Sequence, residues 1–167
     1  MIYATRIPTP IGEVAALVED DGALVALPYV DGGSAAQIAR RAGLPDVSLV
    51  WDSERGAPVA AQLDEYFRGE RRAFDLPLRP RGTPFQQRVW RALLDIPYGA
   101  TISYGALAAR VGRPGSARAV GRANGTNPIP IIIPCHRVVG ADGALTGYGG
   151  GIERKQRLLA LEGALLA

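Results

Sequence analysis

The chain has 167 residues, is 47% hydrophobic, carries a net charge of +3 and holds one cysteine and one histidine. That length suits one domain or two small ones with a real core. A single cysteine excludes an internal disulfide, a cysteine–histidine zinc site would need about four ligands, and no apolar run reaches the ~18 residues of a membrane span. No stretch resembles a signal peptide, so the expectation is a cytoplasmic protein with no metal, no cofactor and no membrane partner.

The charge is unevenly placed. Residues 1 to 80 carry 8 basic and 12 acidic side chains, net −4, and residues 81 to 167 carry 11 and 4, net +7. No acid lies between Asp95 and Asp142, an interval holding Arg110, Arg113, Arg118, Arg122 and Arg137. Such a half fits a polyanion, or simply a solvated basic surface.

In chain order, the first 30 residues alternate apolar and polar positions, broken by Pro8, Pro10, Gly12 and the Asp20-Asp21-Gly22 turn, which predicts short antiparallel strands. Ser34 to Gly43 and Ala57 to Gly69 read as helices, the second with Pro58 near its start and an apolar face of Leu63, Tyr66 and Phe67. Arg79-Pro80-Arg81-Gly82 combines two breakers with the change of charge sign and is the expected linker, giving domains 1–79 and 80–167. Thr83-Pro84-Phe85-Gln86 has the form of a capping box with proline at the first helical position. Its helix should bury Phe85, Val89, Leu93 and Trp90 and stop before Pro97. Ser103 caps a predicted helix over Tyr104 to Val111, and Ser116 starts another over Ala117 to Ala123; the pair is a helix-turn-helix candidate. Ala117, Ala119, Gly121 and Ala123 alternate with Arg118, Val120, Arg122 and Asn124, suggesting a face almost without bulk. It suits tight packing inside the domain or close approach to nucleic acid.

The remaining signal is chemical. Cys135 and His136 are adjacent, and a cysteine becomes a strong nucleophile when a neighbouring base or charge raises its thiolate fraction. Ile129 to Ile133, between prolines, reads as a short buried strand leading into Cys135. Successive side chains of a strand point to opposite faces, so either the chain turns at Cys135 or a water joins thiol and imidazole. A last helix over about Ile152 to Leu161 ends at Glu162, a carboxylate disfavoured by the helix dipole unless it meets a cation or a hydrogen-bond donor. It is the best candidate to orient His136, although by itself it reads as an ordinary exposed glutamate.

The stretch Pro128 to Val139, with Asn127, Gly147-Tyr148-Gly149-Gly150-Gly151 and Leu161-Glu162-Gly163, resembles the active site of the O6-alkylguanine-DNA alkyltransferases, the methylated-DNA–protein-cysteine methyltransferases. Phe85 to Trp90, Ile96-Pro97-Tyr98-Gly99, Ser103-Tyr104-Gly105 and Arg118-Ala119-Val120-Gly121 extend the likeness over about residues 83 to 163. The resemblance implies an α+β fold: a small N-terminal antiparallel sheet with helices, then a mainly helical domain with a helix-turn-helix and a short strand before the cysteine. It implies transfer of an O6-alkyl group, chiefly methyl, from guanine in double-stranded DNA to Cys135, once per molecule, after base flipping. It also implies His136 as base through a water, Glu162 as its orienting carboxylate, Asn127 as the amide holding this network, and Tyr104 as hydrogen-bond donor to the purine N3. The carbonyls of Cys135 and Val138 would read the exocyclic amine, with Tyr148, Gly149 and Gly150 lining the pocket. Arg118 would enter the base stack from the minor groove, supported by Ser103, Ala117, Ala119, Gly121 and Arg122. The protein would be monomeric in solution, cluster on DNA and associate with a prokaryotic nucleoid when acting. Rival readings are a non-catalytic lesion binder of the alkyltransferase-like kind, a helix-turn-helix transcription factor and a cysteine hydrolase; the hydrolase would need an oxyanion hole that no motif supplies.

Overall fold

The computed structural model describes residues 1–164. The chain divides into two compact units, Met1–Arg81 and Gly82 onward.

In the first unit, strands β1 (Ile2–Ile7), β2 (Val14–Val18), β3 (Leu24–Ala26) and β4 (Leu49–Trp51) form one sheet in the order β3-β2-β1-β4. β1 pairs antiparallel with β2, from Tyr3 opposite Val18 to Ile7 opposite Val14, as the alternation predicts. The fourth strand was not legible in the sequence, and it runs parallel to β1 with Ile2 opposite Leu49. Helix α1 (Ala35–Arg41) begins at a full capping box between Ser34 and Gln37. Its Ile38 packs with Ile2, Ala4, Ala15, Leu17 and Val25 on one face of the sheet.

Helix α2 (Ala57–Phe67) starts beside the opposite face: a Cβ on Gly56 would stand 2.6 Å from the Thr5 Cβ and 3.2 Å from that of Ala16. Thr5 locks this approach, its Oγ1 donating to the Asp52 carbonyl and accepting from the Gly56 N–H. With both faces covered, β2 is buried at all five positions instead of alternating. The apolar face of α2 is Val59, Leu63 and Tyr66, so Val59 takes the place predicted for Phe67, which is only half-buried.

The second unit is mainly helical. Helix α3 (Pro84–Leu94) opens on the predicted capping box, with Thr83 and Gln86 each bonded to the other's backbone. It buries Val89, Trp90 and Leu93; Phe85 stays half-buried with the Arg113 guanidinium 5.2 Å from its ring centre. Strand β5 (Ile102–Ser103) leads into α4 (Tyr104–Arg110), capped by the Ser103 hydroxyl, and after a Gly/Pro turn comes α5 (Ala117–Gly125). Trp90 fixes α3 to α5 by donating its indole N–H to the Ala123 carbonyl at 2.8 Å. Helix α6 (Ile152–Leu161) closes the unit.

The α+β class and the helical second unit are as expected, but the strand leading into the cysteine is not there. Ile129 to Ile133 form successive bends and turns, Cys135–Arg137 is a single 3-10 turn, and the two-residue strand β6 (Val138–Val139) follows the cysteine and pairs parallel with β5. The physical cause lies in three prolines. Pro128, Pro130 and Pro134 lack the N–H groups a ladder needs, and Ile131 takes a left-handed φ of 73°. That conformation is costly for a β-branched residue and persists because surrounding bonds impose it. Alternate residues of α5 likewise do not share a face at 3.6 residues per turn. Ala123 is buried, Ala117, Ala119 and Gly121 are half-buried, and Arg118 and Arg122 project together into solvent.

Candidate active site

Cys135 is 6% exposed, at the start of the 3-10 turn. Burial pushes its thiol up to about 11, against smaller opposing pulls from a hydrogen bond with the Asn127 side chain and from the Lys155 ammonium. The resting group is therefore a protonated thiol near neutral pH.

His136 is fully buried and directs Nε2 at Glu162 Oε2, 2.9 Å away. A carboxylate only accepts, so Nε2 carries the proton and Nδ1 keeps the basic lone pair. Nδ1 is buried and has no hydrogen-bond partner among the described residues. Desolvation is the main influence on the imidazole and lowers its pKa, outweighing the opposing bond and charge of Glu162, so His136 rests neutral.

Glu162 is no exposed glutamate. It follows α6 and is buried, with Arg137 Nε donating to Oε1 at 2.8 Å and Arg137 Nη2 to Oε2 at 2.9 Å. Arg137 is the cation that the end of α6 called for; it also donates through Nη1 to the Ile96 carbonyl at 2.6 Å. The Arg137–Glu162 pair holds its shape because freeing either charge would leave the other buried and alone. Gly99 permits the packing: its φ is 84°, and a Cβ there would lie 3.2 Å from the Glu162 carbonyl oxygen.

Asn127 spans the irregular segment before the cysteine. Its Nδ2 donates to the Ile133 carbonyl at 2.8 Å, and its Oδ1 accepts from the Ile129 N–H at 3.0 Å. These bonds hold the bend that contains Ile131.

A second group of residues gathers around Thr146. The Tyr104 hydroxyl donates to the Thr146 carbonyl at 3.4 Å and accepts from the Thr146 hydroxyl at 3.3 Å. Gly121 lies against the Tyr104 ring, where an added Cβ would be 3.6 Å from Cδ1; this part of the small-residue pattern packs inside the unit. Lys155 was missed in the sequence. It is 0% exposed, and its Nζ donates at 2.6 Å to both the Val138 and Thr146 carbonyls. Burial lowers its pKa, and Cys135 opposes that shift. The one signal available was its place in α6, three residues before the buried Leu158, where a lysine interrupts the apolar face. Tyr148 is half-buried, Gly149 exposed and Gly150 half-buried on the same loop. A Cβ on Gly149 would stand 4.0 Å from the Gly125 carbonyl, so the loop passes the end of α5.

Asn124, to which the sequence assigned no role in the site, joins α5 to Cys135 by donating from Nδ2 to its carbonyl at 3.3 Å. Arg118 and Arg122 lie one turn apart on the exposed side of α5, Ser103 caps α4, and Ala117 and Ala119 flank Arg118. The structure thus brings His136, Arg137 and Glu162 into one buried cluster, with Cys135 on the same 3-10 turn and the half-buried Asn127 beside the thiol, and Tyr104, Val138 and the Thr146–Gly149 loop into a neighbouring one joined by Lys155. Arg118 and Arg122 belong to the surface.

Comparison with known proteins covers both units. Residues 84–164 match the family described as 6-O-methylguanine DNA methyltransferase, DNA binding domain, and residues 2–80 match its ribonuclease-like domain. A methylated-DNA–protein-cysteine methyltransferase of Mycobacterium tuberculosis is 63% identical over 114 residues, covering 67% of this chain and 69% of that protein. One from Methanosarcina acetivorans is 44% identical over 163 residues, covering 98% and 99%. The crystal structure of Mycobacterium tuberculosis OGT in complex with DNA superposes with a TM-score of 0.85 at 47% identity, covering 97% of this chain and 93% of that one.

Proposed function

The chain belongs to the 6-O-methylguanine DNA methyltransferase family and is a methylated-DNA–protein-cysteine methyltransferase that repairs DNA; from that premise we propose how it acts. The substrate is O6-alkylguanine in double-stranded DNA, approached from the minor groove, flipped out of the stack and dealkylated once per protein molecule. The observation that carries this reading is the buried His136–Glu162–Arg137 cluster on the turn that begins at the buried Cys135: a nucleophile, a base and a fixed counter-charge in one part of the fold.

A thiol pushed up to about 11 needs a base to react near neutrality. His136 Nδ1 takes the proton through a bridging water, and Glu162 stabilises the resulting imidazolium through Nε2. The thiolate attacks the alkyl carbon; the S–C bond forms as the C–O6 bond breaks, and the electron pair stays on the purine. Tyr104 turns its hydroxyl from Thr146 to the purine N3, drawing off the developing charge, a type of assistance typically worth about 10²–10⁴-fold. The proton lost by Cys135 reaches guanine through His136 and solvent. Lys155 supports the thiolate by its charge and holds the Val138 and Thr146 carbonyls in place.

Flipping follows from burial: an O6 substituent within the stack cannot meet a thiol that is 6% exposed. Arg118 fills the space the base leaves, and Arg122 and Ser103 hold phosphates. Tyr148, Gly149 and Gly150 form the pocket wall. The product thioether has no good leaving group, and the chain has no second cysteine to accept the alkyl group, so turnover stops at one.

Incubating the protein with a duplex bearing O6-methylguanine and weighing the peptide that contains Cys135 tests the reading. One added methyl group, with lesion loss equal to protein consumed, is the expected result. Many lesions repaired per molecule would refute the mechanism, and an unchanged mass with retained lesion binding would make the protein a binder.

A further inference from the structure

We propose that Thr146 is a positioning residue for the alkyl transfer: its hydroxyl holds the Tyr104 phenol oxygen and strengthens that phenol as a donor to the departing base. The inference rests on the reading of Tyr104 as donor to the purine N3.

Hydrogen-bond polarity fixes what each group can do. The Tyr104 hydroxyl has one proton and gives it to the Thr146 carbonyl at 3.4 Å. The Thr146 hydroxyl, 3.3 Å from the same phenol oxygen, is therefore the donor in the second bond. One residue meets the phenol twice, with its backbone as acceptor and its side chain as donor.

Only the first of these bonds competes with the base. A phenol that turns its O–H to N3 leaves the Thr146 carbonyl, but its lone pairs stay within reach of Thr146 Oγ1. Nor is the carbonyl abandoned, because Lys155 Nζ still donates to it at 2.6 Å. That bond comes from a charged donor on a residue that is 0% exposed, so it anchors Thr146 whether or not the phenol is present. The Tyr104 ring is backed by Gly121 of α5, where an added Cβ would lie 3.6 Å from Cδ1, and beside its hydroxyl a Cβ on Gly147 would lie 4.0 Å away.

The retained bond has a chemical consequence. A hydroxyl that accepts a hydrogen bond donates its own more strongly, because successive bonds polarise one another. As the C–O6 bond breaks, the electron pair left on the purine spreads into the ring and N3 becomes a better acceptor. The chain from Thr146 through Tyr104 to N3 is polarised in the same sense, so it is stronger in the transition state than before it, which is the condition for accelerating the step. Thr146 touches no atom of the base and acts only through Tyr104.

The test measures the single-turnover rate of methyl transfer to Cys135 at saturating protein, from duplexes carrying O6-methylguanine or 3-deaza-O6-methylguanine, in which C–H replaces N3. The native protein should be slower on the 3-deaza base. Thr146→Val keeps the carbonyl and the branched shape but loses the hydroxyl. It should slow transfer from O6-methylguanine roughly fivefold, the scale of one neutral hydrogen bond, and transfer from the 3-deaza base by less than about twofold. Thr146→Ser should recover the native rate to within about twofold, with the same duplex affinity in all three proteins. In a Tyr104→Phe background the valine substitution should add nothing, since the group it acts through is gone. The proposal is overturned by a valine effect equal on the two bases, by one that persists beside Tyr104→Phe, by a serine variant as slow as the valine one, or by no effect on O6-methylguanine. Equal native rates on the two bases would refute the reading of Tyr104 and the inference with it, whereas a native preference for the N3-bearing base that survives Thr146→Val undiminished refutes the inference alone.

Discussion

Arg137 and Arg118 lie in the same unit and carry the same side chain, yet their surroundings have nothing in common. Arg137 is buried, with three of its nitrogens committed to Glu162 and Ile96. Arg118 stands in solvent on α5, in the stretch of chain without an acid from Asp95 to Asp142. The contrast separates two demands. Proton transfer needs a dry site whose charges cannot relax, because electrostatic interactions gain strength there. Binding a polyanion needs charges that remain hydrated and free until phosphate displaces their counterions.

Removing one group from each region should therefore have different consequences. Cys135→Ala should abolish methyl transfer altogether and leave duplex affinity nearly unchanged, measured by peptide mass and by titration with labelled duplex; loss of both would mean that the buried cluster also builds the DNA surface. Next in size, Glu162→Ala strands Arg137 and should cost about 3–5 kcal/mol in denaturant unfolding. Arg118→Ala should shift stability by no more than about 0.5 kcal/mol and slow repair in duplex roughly tenfold or more, the effect of about 1.4 kcal/mol of lost flipping assistance. Reaction with free O6-alkylguanine base should hardly change, and equal slowing on both substrates would place Arg118 with the chemistry.

Three smaller effects sharpen the contrast further. His136 has a lowered folded pKa, so its neutral form stabilises the fold above its ordinary value of about 6.5, and that contribution is lost as pH falls through the lowered value. Urea midpoints should decline on acidification below about pH 6.5, and His136→Gln should flatten the decline. Cys135 has a raised pKa, so its contribution is complete below the ordinary thiol range and lost as pH climbs towards about 11; thiol capture by iodoacetamide should accelerate up to that pH. Last, Arg122→Ala should weaken duplex binding alike for all sequences and reduce the slope of log K against log salt by about 1, the signature of one phosphate contact.

Much of the fold was readable because local chemistry fixed it. The capping box at Thr83 announced α3 and the Ser103 cap announced α4, since each cap acts within one turn of its own helix. Strand β4 gave no such signal: its Val50 and Trp51 are exposed, and its place beside β1 depends on pairing with residues nearly fifty positions away. The run Ile129 to Ile133 misled because apolarity reports burial, not extension; its prolines and the left-handed Ile131 decided for a bend.

By itself the sequence determined which atoms could do chemistry here: one thiol beside one imidazole, a carboxylate at a helix end that needed a cation or a hydrogen-bond donor, and a run of arginines without acids. Only the tertiary structure decided how they meet. The turn at Cys135 sets His136 Nε2 on Glu162 and leaves the lone pair on Nδ1, Arg137 joins them as the missing cation, and Lys155 and Asn124 enter from α6 and α5. Such meetings depend on side-chain direction and burial across 11 to 26 residues of chain, which composition and spacing do not encode.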